Sequence, residues 1–110
     1  MRIRRSVEYR ATSRRARRFH TDHFVVLYTR GAGSTTRTGI TVSRRVGNAV
    51  IRNRVKRYVR EFVRVRMVSL DEPYDLVFIA KPGAGQCEHR QIEGELESFW
   101  SYLEGRVGRR

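Results

Sequence analysis

Between Asn48 and Met67 the chain carries one strongly two-sided segment, and this segment constrains the fold more than any other. At about 100° per residue, Ile51, Val55, Tyr58, Val59, Phe62 and Val65 fall within one arc about 120° wide. Such an arc has to be buried against another element. Opposite it stand Asn53, Lys56, Arg57, Arg60 and Arg64, with Arg52 and Arg54 on the flanks. The spacing predicts a helix with one face in the core and the other presenting guanidinium groups. A merely solvated face normally interleaves acids for i,i+4 pairing, and here Glu61 is the one acid.

The rest of the chain supplies partners for that helix. His23 to Thr29 is rich in β-branched and aromatic residues and reads as a strand. Thr38 to Ser43 ends in polar–apolar alternation and reads as a second. Tyr74 to Ala80 is a mostly apolar run, expected as a buried strand. Residues 6–13 read as a short helix with Ser6 as its cap, and an extra short strand is expected near residue 17. Ile92, Leu96, Phe99, Trp100 and Leu103 recur at helical spacing, so Glu88 to Leu103 reads as the last helix. Gly31 to Ser34 and Pro82 to Gly85 are turn signals. The order α-β-(β)-β-α-β-α over 110 residues predicts a single α+β domain spanning 1–110, a mixed sheet with helices on it.

Charge narrows the function classes. The chain has 24 Lys and Arg against 11 Asp and Glu, a formal +13. Residues 1–67 hold 19 of those bases and only Glu8, Asp22 and Glu61 as acids. Hydrophobic residues make up 39%, enough for a core, which argues against a disordered basic tail. A charge this high self-repels in a small fold, so a polyanionic partner is expected. No apolar run approaches the ~18 residues of a membrane span, and no signal-peptide plan is present. Cys87 is the one cysteine, which excludes an intramolecular disulfide. The expected location is cytoplasmic.

Candidates for chemistry are few. Arg44, Arg45, Arg52, Asn53, Arg54, Lys56, Arg57 and Arg60 form a dense basic stretch, where guanidinium forks chelate phosphate oxygens and Asn53 reads a sugar or base edge. Gly47 either permits a close approach or supplies a turn. Tyr9, Phe19, Phe24 and Tyr28 accompany the bases. On a strand, Phe24, Val26 and Tyr28 share one face, which is either core or a platform for single-stranded bases. His20, His23 and His89 lack a third ligand at metal spacing, so no zinc site is expected and the histidines read as exposed. Asp71, Glu72 and Asp75 could hold Mg²⁺ as nuclease carboxylates do, or be solvated loop acids. No Walker, nucleotide-loop or nucleophile signature occurs, and no catalytic residue is assigned.

The run Arg44-Arg45-Val46-Gly47-Asn48-Ala49-Val50-Ile51-Arg52-Asn53-Arg54-Val55-Lys56-Arg57, followed by Arg60-Glu61, closely resembles the RNR motif of the bacterial ribonuclease P protein subunit. The resemblance covers nearly the whole chain: Phe24 to Tyr28, Thr38 to Ser43 and Asp75 to Lys81 stand where that family has strands, and Glu88 to Leu103 matches its last helix. It implies a subunit that binds the family's catalytic RNA through the RNR helix. It also implies that the subunit holds the single-stranded 5′ leader of precursor tRNA in a cleft between the first helix and the sheet. Cleavage is then carried by the RNA with Mg²⁺, and the protein alone holds no cofactor. The leader residues implied are Tyr9, Phe24, Val26 and Tyr28; Ser13 stands where a second helix aromatic is common. One protein per catalytic RNA and no membrane contact are implied. The resemblance also implies a left-handed crossover through the RNR helix, against the general right-handed preference. Two other readings compete: a ribosomal or RNA-chaperone protein, and a protein-only nuclease using the carboxylates at 71–75.

Overall fold

The computed structural model describes residues 16–31, 33–70 and 72–107. The helix expected over residues 6–13, with Tyr9 and Ser13, lies outside these, as does Asp71. Four strands form one sheet: β1 (Arg17–His20), β2 (Phe24–Arg30), β3 (Arg37–Thr41) and β4 (Tyr74–Ala80). Two helices, α1 (Ala49–Arg66) and α2 (His89–Val107), follow β3 and β4 respectively. The sheet order is β1-β2-β4-β3, with β1–β2 and β2–β4 antiparallel and β3–β4 parallel. The sheet is therefore mixed, in an α+β domain as expected. The short strand expected near residue 17 is β1.

Register sorts the side chains by face. Phe24 pairs with Ala80, Val26 with Phe78, Tyr28 with Leu76, and Ile40 with Phe78 on the other side. All of these face the helices and join Val55, Val59, Phe62, Ile92, Leu96, Phe99, Trp100 and Leu103 in one core. Leu27 and Val77 point to the opposite face and are also buried. Aromatic edges lock the layers, with Phe99 set 6.0 Å from Phe78 at 90° and Phe62 6.0 Å from Trp100 at 80°.

α1 is turned slightly from the expected arc. Val55, Val59, Phe62 and Val63 are buried, whereas Val65 is 58% exposed. Packing against α2 draws the buried stripe toward Val63, and Val65, at the far edge of the arc, swings out. The helix begins where Asn48 caps it, its Oδ1 accepting from the Ile51 N–H at 3.0 Å. Arg64 and Arg66 in the last turn oppose the helix dipole favourably.

Candidate nucleic-acid interface

The basic stretch is assembled from a turn and a helix. Residues 44–46 turn back so that the Val46 N–H donates to the Ser43 carbonyl at 3.1 Å, burying Val46 and leaving Arg44 and Arg45 exposed. Gly47 permits this join: a Cβ there would lie 2.8 Å from Cγ2 of Ile51. Along α1, Asn53, Arg57 and Arg60 are exposed and Lys56 is half-buried. Among the described residues none of Lys56, Arg57 and Arg60 has an ion-pair partner. Their charges are held by the helix at fixed spacing without internal compensation. Such an array places several cationic groups on one face, an arrangement suited to phosphate contacts.

Two arginines of the stretch also have internal partners. Nη1 of Arg52 donates to the Gly47 carbonyl at 3.0 Å, bracing the turn before the helix. Nη2 of Arg54 donates to the Gly85 carbonyl at 2.6 Å, reaching the 3-10 turn Pro82–Gln86. The Nε of Arg54 is buried with no hydrogen-bond partner among the described residues. Beside the basic face, Tyr58 stacks on His89 at 4.4 Å, and the Arg57 guanidinium lies 5.3 Å from the Tyr58 ring.

The aromatic platform is placed differently from the open face that sequence allowed. Phe24 and Val26 have no exposed surface, because the alternation that pairs them with Ala80 and Phe78 aims them under the helices. A base cannot stack on either. Tyr28 is buried too, at 4% exposure, but sits at the margin: its hydroxyl is 2.9 Å from that of Tyr102, which is 39% exposed. Phe19 packs on Tyr102 at 5.0 Å and on Phe99 at 5.4 Å. Phe19, Tyr28 and Tyr102 thus form an aromatic edge between β1, β2 and α2. Tyr102 carried no signal in the sequence, since it lies off the apolar period of its helix.

Of the carboxylates at 71–75, the two described ones are both held in ion pairs. Asp75 lies in β4, 6% exposed, with both oxygens engaged by Arg37: Nε to Oδ1 at 3.0 Å and Nη2 to Oδ2 at 2.7 Å. Glu72 pairs with Arg30 at 2.7 Å. Asp75 is a buried structural ion pair rather than a solvated loop acid.

The histidines also divide. His20 and His89 are exposed, but His23 is half-buried with Nδ1 2.6 Å from Oε2 of Glu95. Oε1 of Glu95 accepts from the Thr21 hydroxyl at 2.6 Å and the His23 N–H at 2.8 Å. Burial alone would raise the Glu95 carboxyl; the bonds from His23 and Thr21 outweigh it and hold the group below its ordinary value. Cys87 is brought beside this pair. Burial, then the Glu95 charge, pushes its thiol up. No spacing in the sequence joins these residues, because they come from three separate segments.

The sequence model of the ribonuclease P family matches residues 1–104. The chain belongs to the ribonuclease P protein family. A ribonuclease P protein component from Desulfovibrio desulfuricans is 46% identical over 100 residues, covering 87% of this chain and 77% of that protein. One from Clostridium novyi is 38% identical over 101 residues, covering 89% and 88%. Among solved structures, an RNase P protein from Staphylococcus aureus superposes with a TM-score of 0.85 at 29% identity, over 93% of this chain and 94% of the other. The RNase P protein from Thermotoga maritima, at 24% identity and a TM-score of 0.80, covers 91% and 94% and shares the fold. Helix α1 carries the stretch that resembles this family's RNR motif. No helix among the described residues is long and apolar enough to cross a membrane.

Proposed function

We propose that this chain binds the catalytic RNA of ribonuclease P through the outer face of α1 and the turn before it. Arg44, Arg45, Lys56, Arg57 and Arg60 supply phosphate contacts and Asn53 a neutral donor and acceptor. Arg52 and Arg54 shape the surface as well as charge it. The observation that carries this reading is the uncompensated basic face of α1 in a member of this family. The same protein holds the 5′ leader of precursor tRNA, with Tyr28 at the aromatic edge and Tyr9 as the residues assigned to it. Cleavage that yields the mature tRNA 5′ end is the work of the RNA and its Mg²⁺, one protein serving each RNA in the cytoplasm. The protein contributes binding and orientation, and none of its side chains acts on the scissile bond.

The test is reconstitution. Precursor tRNA is incubated with the catalytic RNA at low Mg²⁺, with and without the protein, and with the protein alone. The expected result is cleavage at the mature 5′ end that depends on both components. Cleavage by the protein alone would overturn the reading, and so would no stimulation of the RNA.

A further inference from the structure

The geometry points to a zinc-class metal site formed by His23, Cys87 and Glu95, on the side of the fold that holds the 3-10 turn Pro82–Gln86. One ring nitrogen of His23, Sγ of Cys87 and one carboxylate oxygen of Glu95 all lie within 4.8 Å of one another. Zinc takes thiolate sulfur at about 2.3 Å and imidazole nitrogen or carboxylate oxygen at about 2.0–2.2 Å, which sets tetrahedral ligands about 3.2–3.6 Å apart. No two of the three donors are more than 4.8 Å apart, so side-chain shifts that open the 2.6 Å His23–Glu95 bond and draw in Cys87 bring them to coordination distances.

The scaffold holds them there. His23 ends the turn between β1 and β2, and its backbone carbonyl accepts from the Lys81 N–H at 2.8 Å. Nζ of Lys81 donates to the Thr21 carbonyl at 2.7 Å. Cys87 directly follows the 3-10 turn, its N–H donating to the Ala84 carbonyl at 3.2 Å. Glu95 projects from α2 and is fixed by Thr21 and the His23 backbone. An approach is open on the His23 side, whose side chain is 26% exposed, while Glu95 is 12% exposed and Cys87 is buried.

The donor set selects the ion. One sulfur, one nitrogen and one oxygen suit a borderline-soft ion with tetrahedral preference, and Mg²⁺, which demands oxygen ligands and octahedral geometry, is a poor match. With Cys87 as thiolate and Glu95 ionised, a divalent ion leaves the site neutral. A water takes the fourth position. Binding releases the Cys87 thiol proton to solvent, and without the ion the His23–Glu95 bond stands in its place. The bound ion staples the β1–β2 turn to the 3-10 turn and the helix that follows it. One of them, the 3-10 turn, receives Arg54 from the RNR helix through Gly85. The site is therefore a structural brace behind the basic face.

The experiment uses the full chain freed of metal by chelation, titrated with Co²⁺ alone and then Zn²⁺ alone. Cys87 is the one cysteine, so a sulfur-to-cobalt charge-transfer band reports on it without any variant. The expected result is that band, with tetrahedral visible absorption, saturating at one ion per chain and bleached by Zn²⁺. Zn²⁺ raises the melting temperature, and a chelator reverses the rise. His23→Gln and Glu95→Gln each weaken Co²⁺ binding at least about tenfold, whereas His20→Gln with His89→Gln leaves it unchanged. Absence of the sulfur band at micromolar ion overturns the proposal. A band needing two chains per ion, or one that survives at full affinity in a folded His23→Gln variant, overturns it equally.

Discussion

The side chain of Arg54 leaves the RNR helix and donates from Nη2 to the backbone carbonyl of Gly85, 2.6 Å away. Gly85 is itself pressed so closely on the turn before the helix that a Cβ would lie 2.2 Å from the Val46 carbonyl oxygen. One arginine of the basic stretch therefore fastens α1 to the 3-10 turn. Its replacement acts on the fold as well as on RNA. Arg54→Ala is expected to lower stability by about 1.5–3 kcal/mol, the range for a hydrogen bond to a charged group. Denaturant unfolding measures it. An unchanged midpoint alongside weakened RNA binding would mean that Arg54 serves the RNA alone.

The Arg37–Asp75 pair gives a second expectation. Both Asp75 oxygens are bonded, and Asp75 is buried while Arg37 keeps about a quarter of its side chain in solvent. Asp75→Asn is expected to cost about 1–3 kcal/mol, below the value for a fully buried pair because water still reaches the guanidinium. Holoenzyme cleavage at a temperature where the variant stays folded is expected to match the wild type. A large loss of cleavage from a folded Asp75→Asn chain would revive a catalytic carboxylate.

Why some of this was legible in the sequence and some was not comes down to range. Tyr74–Ala80 is read correctly end to end because its apolar run sits between Pro73 and Pro82. Helix α1 is read because its apolar period is a local signal, while its Asn48 cap emerges only in the structure. Its rotation is not, since Val63 and Val65 compete for the core and α2 decides between them. Phe24, Val26 and Tyr28 were correctly placed on one face, but alternation cannot say which face the helices cover. The Arg54–Gly85 bond and the contact of His23 with Glu95 join residues tens of positions apart, so no pattern along the chain marks them.

Tyr28 can now be tested with its surroundings known. Its ring is buried, and its hydroxyl meets that of Tyr102. Tyr28→Phe removes only the hydroxyl, at a cost of about 0.5–1.5 kcal/mol. Tyr28→Ala removes a buried ring, at about 3–5 kcal/mol. The buried ring offers a base no face and acts through the exposed Tyr102 that it supports, so below the melting transition of the alanine variant precursor tRNA binding is expected to fall by less than the roughly 5- to 150-fold of one full base stack. Mature tRNA binding should not change. A folded Tyr28→Ala chain that binds both tRNAs as the wild type does would make Tyr28 a core residue only.

The ionic-strength dependence of RNA binding separates charge from neutral contact on α1. Each phosphate neutralised releases condensed counterion, so the log–log slope is about −0.9 per contact on a duplex and about −0.7 on a single strand. Arg60 is exposed and has no ion-pair partner among the described residues, so Arg60→Ala should change stability by no more than about 0.5 kcal/mol. It should nevertheless flatten the slope for catalytic-RNA binding by about one contact's worth. Asn53, also exposed, carries no charge. Asn53→Ala should therefore weaken binding equally at every salt concentration and leave the slope alone. Filter binding or fluorescence titration of both variants across a salt series measures the two effects. If the wild-type slope is near zero, or if Arg60→Ala leaves it unaltered, the basic face of α1 does not lie against the RNA.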